Sequence, residues 1–317
     1  MLDRAAESLF WIGRYTERAE NHARLIDVYY HIREDSIGPD EGVWRRISGA
    51  IGDSSAYLER YGEFNERSAL QFLLLDTEQT NSLLTCVIQA RDNLKKIREQ
   101  LPSELWNLFN SFYLWLRQMT IGEVLAEPHR FFERVKEGLA AFQGTLVSIA
   151  MRDESWCMLE SGRYLERSEN IVRLLDSVCQ TVEEKGQSSY SYLLAVLKSV
   201  GGYEAYRRLG IDELSMEEVA SFLLLQETFP RSAHFALASF ESNMKAMRSK
   251  SDRSGSSLEK IIRQASKARS ELSWLERQDI TFSSLGSVLQ QLLATNNLLG
   301  ESMAKTFFFP HGREVIA

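Results

Sequence analysis

Apolar residues recur at three- and four-residue intervals along almost the whole 317-residue chain, and no stretch sustains the alternation of a strand. The spacing predicts helices over 3–33, 41–51, 53–62, 66–75, 80–100, 102–120, 126–150, 153–183, 189–199, 201–208, 215–225, 230–248, 255–276 and 283–306. The interruptions have chemical causes. "EDSIGPDEG" (34–42) joins Gly, Pro and acids, and "EEKGQSS" (183–189) is a weaker version of it. "SKSDRSGSS" (249–257) reads as a mobile, solvated loop, while Pro102 and Pro230 stand at helix entries. Five prolines in the whole chain leave room for long helices. The expected fold class is all-α.

Two of these helices carry nearly the same text. "GRYTERAENHARLIDV" (13–28) and "GRYLERSENIVRLLDS" (162–177) agree at ten of sixteen positions, 149 residues apart. "FLLL" follows at 72–75 and 222–225, then Ser82 and Ser232, both at an offset of 150. A near-constant offset over some seventy residues implies duplication of a multi-helix unit, unlike the short periods of solenoids. Two halves are expected, 1–150 and 151–317, packed with pseudo-twofold symmetry into one compact unit.

Wound at about 100° per residue, nine of the ten identities fall on one arc: Gly13, Arg14, Glu17, Arg18, Glu20, Asn21, Arg24, Leu25 and Asp27. The opposite face keeps only its apolar character. It carries Tyr15, Ala19, His22, Ala23 and Ile26 in one copy, and Tyr164, Ser168, Ile171, Val172 and Leu175 in the other. Most solvated substitutions cost less than about 0.5 kcal/mol, so an ordinary surface has no reason to hold these residues fixed. Intrahelical pairs such as Glu20–Arg24, Arg14–Glu17 and Arg24–Asp27 contribute only about 0.2–0.5 kcal/mol each. Two explanations stand side by side, singly or together: a buried Arg/Glu network between the copies, or a surface that binds or reacts.

Composition narrows the function classes. A net charge of −7 argues against general nucleic-acid binding. No run of eighteen apolar residues suggests a membrane span, and acids and arginines interrupt the first twenty residues where a signal peptide would be apolar. Cys86, Cys157 and Cys179 are odd in number and widely spaced, as in reduced cytoplasmic proteins. Trp44, Trp106, Trp115 and Trp274 are expected in helix packing, and "TFFFPHGREVIA" (306–317) either on the core or against a partner.

The candidate catalytic groups are Glu17, Glu20, Glu166 and Glu169, as acids and bases toward a peptide or amide. Four glutamates on two helices suggest a dimetal bundle site, but Glu-x-x-His is lacking, since His22 follows Glu20 by two and corresponds to Ile171. No metal ligand set is therefore assigned. No cofactor is expected either, because "SVGG" (199–202) lacks the phosphate-loop lysine. No Ser/His/Asp or Cys/His constellation is apparent.

The string GRYxERxEN…RLxD resembles the alpha-E domain family of bacteria, and so do "ARDNLKKIREQLPSELWNLFN" (90–110), "GGYEAYRR" (201–208) and "FLLLQETFPRSAHF" (222–235). The resemblance covers essentially the whole chain. It implies an all-helical protein encoded beside, or fused to, a circularly permuted ATP-grasp protein, often with a transglutaminase-like protein nearby. The implied role is in making or modifying a peptide or amide. By match to the motif, Arg14, Tyr15, Arg18, Asn21, Arg24, Arg163, Tyr164, Arg167, Asn170 and Arg173 are binding residues, with the four glutamates among them; Arg91, Asn93, Trp106, Tyr203, Tyr206, Arg207 and Arg231 follow. Three readings are carried forward: a binding or accessory component that meets the ATP-grasp protein or a peptide or amino-acid-like substrate, an enzyme using the glutamates, and a helical scaffold. A second copy of the chain, as a homo-oligomer, is a further partner to be considered.

Overall fold

The computed structural model describes residues 3–34, 41–51, 54–185, 190–211, 213–250 and 256–308. Among them there are fifteen α-helices and no strand. They are α1 (Asp3–Glu34), α2 (Glu41–Ile51), α3 (Ser54–Tyr61), α4 (Glu66–Leu70), α5 (Leu83–Lys96), α6 (Ser103–Gln118), α7 (Ile121–Ala126), α8 (Pro128–Ile149), α9 (Glu154–Lys185), α10 (Tyr190–Ser199), α11 (Tyr203–Arg208), α12 (Met216–Leu225), α13 (Ala233–Lys250), α14 (Ser256–Trp274) and α15 (Phe282–Met303). The fold class is all-α, as the apolar spacing requires.

The two motif-bearing helices, α1 and α9, have 32 residues each and cross at the centre. Helices α5, α8 and α10 pack on α1, while α13 and α15 pack on α9. Because neighbours surround it, α1 buries more than its apolar face: Ala19, Ala23 and Ile26 on one side, and Arg14, Glu17 and Asp27 on the other. Glycine makes the crossing close. A Cβ on Gly13 would lie 2.0 Å from the Leu159 carbonyl oxygen, and one on Gly162 would lie 2.0 Å from that of Phe10. The two backbones are in direct contact, which explains a glycine at the head of both motif copies.

The matched serines have matched work. Ser82 accepts the Thr85 N–H (3.1 Å) at the start of α5, and Ser232 accepts the Phe235 N–H (3.0 Å) at the start of α13. Each cap fixes the residue just before it, Asn81 or Arg231, against the central pair.

Several expectations shift. The stretch 66–75 begins as α4 and widens into a π-turn over Gln71–Leu75, closed by the Asp76 N–H on the Gln71 carbonyl. Helix α7 is an additional element, started by a capping box between Thr120 and Glu123 and separated from α8 by Pro128 at the first helical position. Trp274 is 85% exposed instead of packed, because it ends α14 at the surface. Phe307 and Phe308 are buried, with Phe308 against Phe10, so this part of the C-terminal stretch lies on the core. Most of the loops at 34–42, 183–189 and 249–257, and residues 309–317, lie outside the described residues.

Candidate functional site

The polar arcs of α1 and α9 face one another across the crossing. Arg18 grips Glu166 with two parallel bonds, Nε to Oε1 at 2.6 Å and Nη2 to Oε2 at 3.0 Å. Arg167 grips Glu17 in the same way, at 2.7 and 2.6 Å. The exchange is reciprocal: each helix offers its own Glu-Arg dipeptide to the other. Such forks are the strongest protein hydrogen bonds to carboxylate, and here they are shielded, with Glu17 3% and Glu166 1% exposed.

Further arginines complete the network. Arg14 reaches Glu166 at 2.5 Å and Glu169 at 2.7 Å, and Arg173 also holds Glu169. On the other side, Arg231 bonds Glu20 at 2.5 Å and approaches Glu17 at 3.4 Å, while Arg24 holds Glu20 at 2.8 Å. Burial by itself would raise the Glu17 carboxyl, but the Arg167 and Arg231 guanidiniums outweigh it and hold it at about 2. Glu166 is likewise pushed up by burial and brought below the usual carboxylate range by Arg14 and Arg18. Burial would also lower Arg18 and Arg167, yet Glu166 and Glu17 raise them.

Two anticipated pairings are replaced. Arg14 passes over Glu17 for the opposite helix, because its side chain lies in the crossing. Asp27 binds His129 (2.9 Å) and Lys136 (2.7 Å) of α8, which packs alongside α1.

Beside this network lies a predominantly polar, partly open cleft of about 330 Å³. Helix α1 contributes Trp11, Tyr15, Arg18, Asn21 and His22, and α9 contributes Glu166, Glu169, Asn170 and Arg173; Thr80, Asn81 and Ile51 close one side. Trp11 and Tyr15 stack at 5.2 Å. Asn81 anchors the rim, donating to the Ile51 carbonyl (2.5 Å) and accepting from Arg18 (3.2 Å). Two of the lining residues have a buried polar atom without a protein partner: Asn170 Nδ2 and His22 Nδ1. Burial, aided by Arg18, pushes His22 down to about 3, so its imidazole is neutral at physiological pH.

His22 is a site residue that motif matching passes over. Its signal was the unequal exchange His22/Ile171 on the otherwise apolar face. Of the remaining candidates, Tyr164 lies beside Arg163 and Arg167, and Arg163 turns to Glu160. Arg91 is far along α5, between Trp106 and Tyr113 and bonded to Asn110. Asn93 caps local contacts to Gln89 and Lys96. Arg207 lies over Tyr203 on α11, and Tyr206 donates to the Glu213 carbonyl nearby. These residues do not line the cleft. No group of three or more His, Cys, Asp or Glu side chains able to hold a metal occurs among the described residues. Each cleft carboxylate is already taken by arginine.

Fold and site together define an all-helical protein whose paired central helices exchange Glu-Arg dipeptides. The chain belongs to the Alpha-E family, described as a predicted alpha-helical domain with a conserved ER motif, which it matches over residues 1–308. It is also similar to uncharacterized proteins of Mycobacterium bovis and Mycobacterium tuberculosis, at 26% identity over 261 residues in each case. The match covers 76% of this chain and 29% of either relative, so the chain spans less than a third of the length of these curated relatives. No solved structure matches it. No helix among the described residues is long and apolar enough to cross a membrane.

Proposed function

We propose that the protein is a binding component of a cytoplasmic, ATP-grasp-linked system that forms or modifies peptides or amides, and that the cleft beside the crossed helices receives a peptide or amino-acid-like ligand. The observation that carries this reading is the contrast within one site. The carboxylates are locked by arginines, while Asn170 and His22, which line the cleft, each keep a buried side-chain nitrogen without a protein partner. Unpaired buried polar atoms cost roughly 1–3 kcal/mol each, a cost that a bound ligand offsets.

Acid–base catalysis by Glu17, Glu20, Glu166 and Glu169 has less support. A general base works best with a pKa near the operating pH, and Glu17 lies near 2. The buried Glu17–Arg167 side is better read as the architecture that fixes the cleft, so the scaffold reading describes part of the same site. The relatives extend well beyond the matched region, which fits a unit working in larger assemblies. An ATP-grasp protein encoded beside it is the expected partner, with a transglutaminase-like protein as a second.

The test is co-expression with the neighbouring ATP-grasp protein, followed by co-purification and calorimetry. A saturable complex is expected. Two folded proteins that release no heat on mixing and elute separately would remove the partner assignment.

A further inference from the structure

The cleft's unused bonding capacity has a sign. Every carboxylate oxygen that borders it is already engaged. Glu166 Oε1 accepts from Arg18, and Oε2 meets both Arg18 and Arg14. Glu169 Oε1 accepts from Arg173 and Oε2 from Arg14. A ligand cation would have to share oxygens that guanidiniums already hold. The donors are not exhausted in this way. Asn170 Nδ2 is buried and unpaired. His22, a lining residue, is 2% exposed, neutral, and has a buried nitrogen without a partner. Of the charged residues that line the cleft, Arg18 and Arg173 balance Glu166 and Glu169, and Arg14 adds one guanidinium behind the two glutamates.

The corresponding place on the other side of the crossing shows what becomes of such a space when it is filled from within. There Arg231, which occupies the position 150 residues after Asn81, extends its guanidinium onto Glu17 and Glu20. Asn81 is too short to do so and stays at the rim, on Ile51 and Arg18. Ile171, the counterpart of His22, has no polar atom to offer there.

We propose that the cleft recognises the carboxylate of a small ligand, one per chain, of amino-acid to dipeptide size. The carboxylate accepts from Asn170 and lies near Arg173, and the stacked Trp11 and Tyr15 form a wall for the remainder of the ligand. The charges lining the cleft balance, with the Arg14 guanidinium behind Glu166 and Glu169, so a monoanion adds less uncompensated charge than a phosphate dianion does. The cavity of about 330 Å³ has room for a ligand of dipeptide size.

The proposal rests on the cleft being the functional site, yet its test needs no partner protein. The full chain is titrated by calorimetry with alanyl-alanine, alanyl-alanine amide and inorganic phosphate, and tryptophan fluorescence is followed in parallel. The free acid should saturate at one site per chain, with the amide and phosphate at least tenfold weaker. Asn170→Asp places a like charge against the ligand and should weaken the acid at least tenfold; Arg173→Gln, at a half-exposed position, should weaken it severalfold. Both variants are checked for an unchanged thermal transition, and if Asn170→Asp unfolds, Arg173→Gln alone decides. Equal binding of acid and amide, tighter binding of phosphate, no saturation by the acid, or an unaffected Arg173→Gln would each overturn the proposal. A chain that binds the acid but ignores the ATP-grasp protein would lose its partner assignment and keep this one.

Discussion

Replacing Gly13 by alanine tests whether the crossing, and not the ion pairs alone, holds the centre together. The added methyl would sit 2.0 Å from the Leu159 carbonyl oxygen and 2.8 Å from the Arg163 nitrogen, where real Cβ atoms essentially never come within 3.0 Å. Both obstacles are backbone, so no rotamer relieves them and α1 must retreat from α9 by about 1 Å. That retreat takes the Arg18–Glu166 and Arg167–Glu17 contacts, now 2.6–3.0 Å, to the edge of hydrogen bonding or beyond. Overpacking costs typically about 1–3 kcal/mol, and a buried ion pair left poorly compensated adds to it, up to about 3–5 kcal/mol for complete loss of a partner. The expected total is about 4 kcal/mol, or a fall in Tm of about 6 °C for a chain of this size. Differential scanning calorimetry of Gly13→Ala should show it. Gly144→Ala, in helix α8 with nothing within 4 Å of the new Cβ, is the control. It should gain about 0.5–1 kcal/mol from helix propensity. If Gly13→Ala matched its control, the close-contact account of the crossing would be wrong.

Two further outcomes concern charge. His22 has a folded pKa pushed from 6.5 down to about 3, so the stability linked to its neutral form is complete above pH 6.5 and declines as pH falls toward 3. His22→Ile, which takes the residue found at position 171, should therefore lose about 2 kcal/mol less than the parent between pH 6.5 and 4.5 in urea titrations; parallel curves would show that His22 titrates normally. Glu17 is depressed from 4.5 to about 2, so its contribution is complete above pH 4.5 and is lost as pH falls toward 2. Glu17→Gln should cost about 3–5 kcal/mol at pH 7 and flatten the acid limb of the stability curve; a variant as stable as the parent at pH 7 would place Glu17 outside any stabilising network.

The helices were legible because burial of one face imposes a period that survives in the letters, and the boundaries failed where a local device intervened. Thr120 with Glu123 starts a helix of only six residues, too short for its apolar spacing to stand out from the neighbouring helices. The repeated motif revealed that its polar arc was constrained, but a single helix cannot show the direction of its partner. The sequence therefore suggested Arg14–Glu17 and Arg24–Asp27 within α1, whereas Arg14 crosses to Glu166 and Glu169 and Asp27 serves α8. Long arginine side chains choose among carboxylates by tertiary placement. Arg91, Asn93 and Arg207 matched a family pattern, and their contacts lie within α5, α6 and α11, away from the cleft. His22 went unassigned for the opposite reason: it sits on the face expected to be core, and only the cavity makes its nitrogen informative.

Gly13 and Gly162 are the clearest case of a letter whose meaning emerges only from the pair. On the helix wheel glycine joins the polar arc as one more identity. At the crossing it brings two backbones together and allows the forks to reach across at bonding distance. The close approach then has a consequence for binding. Forks that are mutually fixed cannot relax toward a ligand, so the proposed site is framed before anything arrives. Preorganised donors bind with less ordering cost than mobile ones. Rigidity that looks architectural on the Glu17–Arg167 side is thus part of the proposed binding site on the Asn170 side.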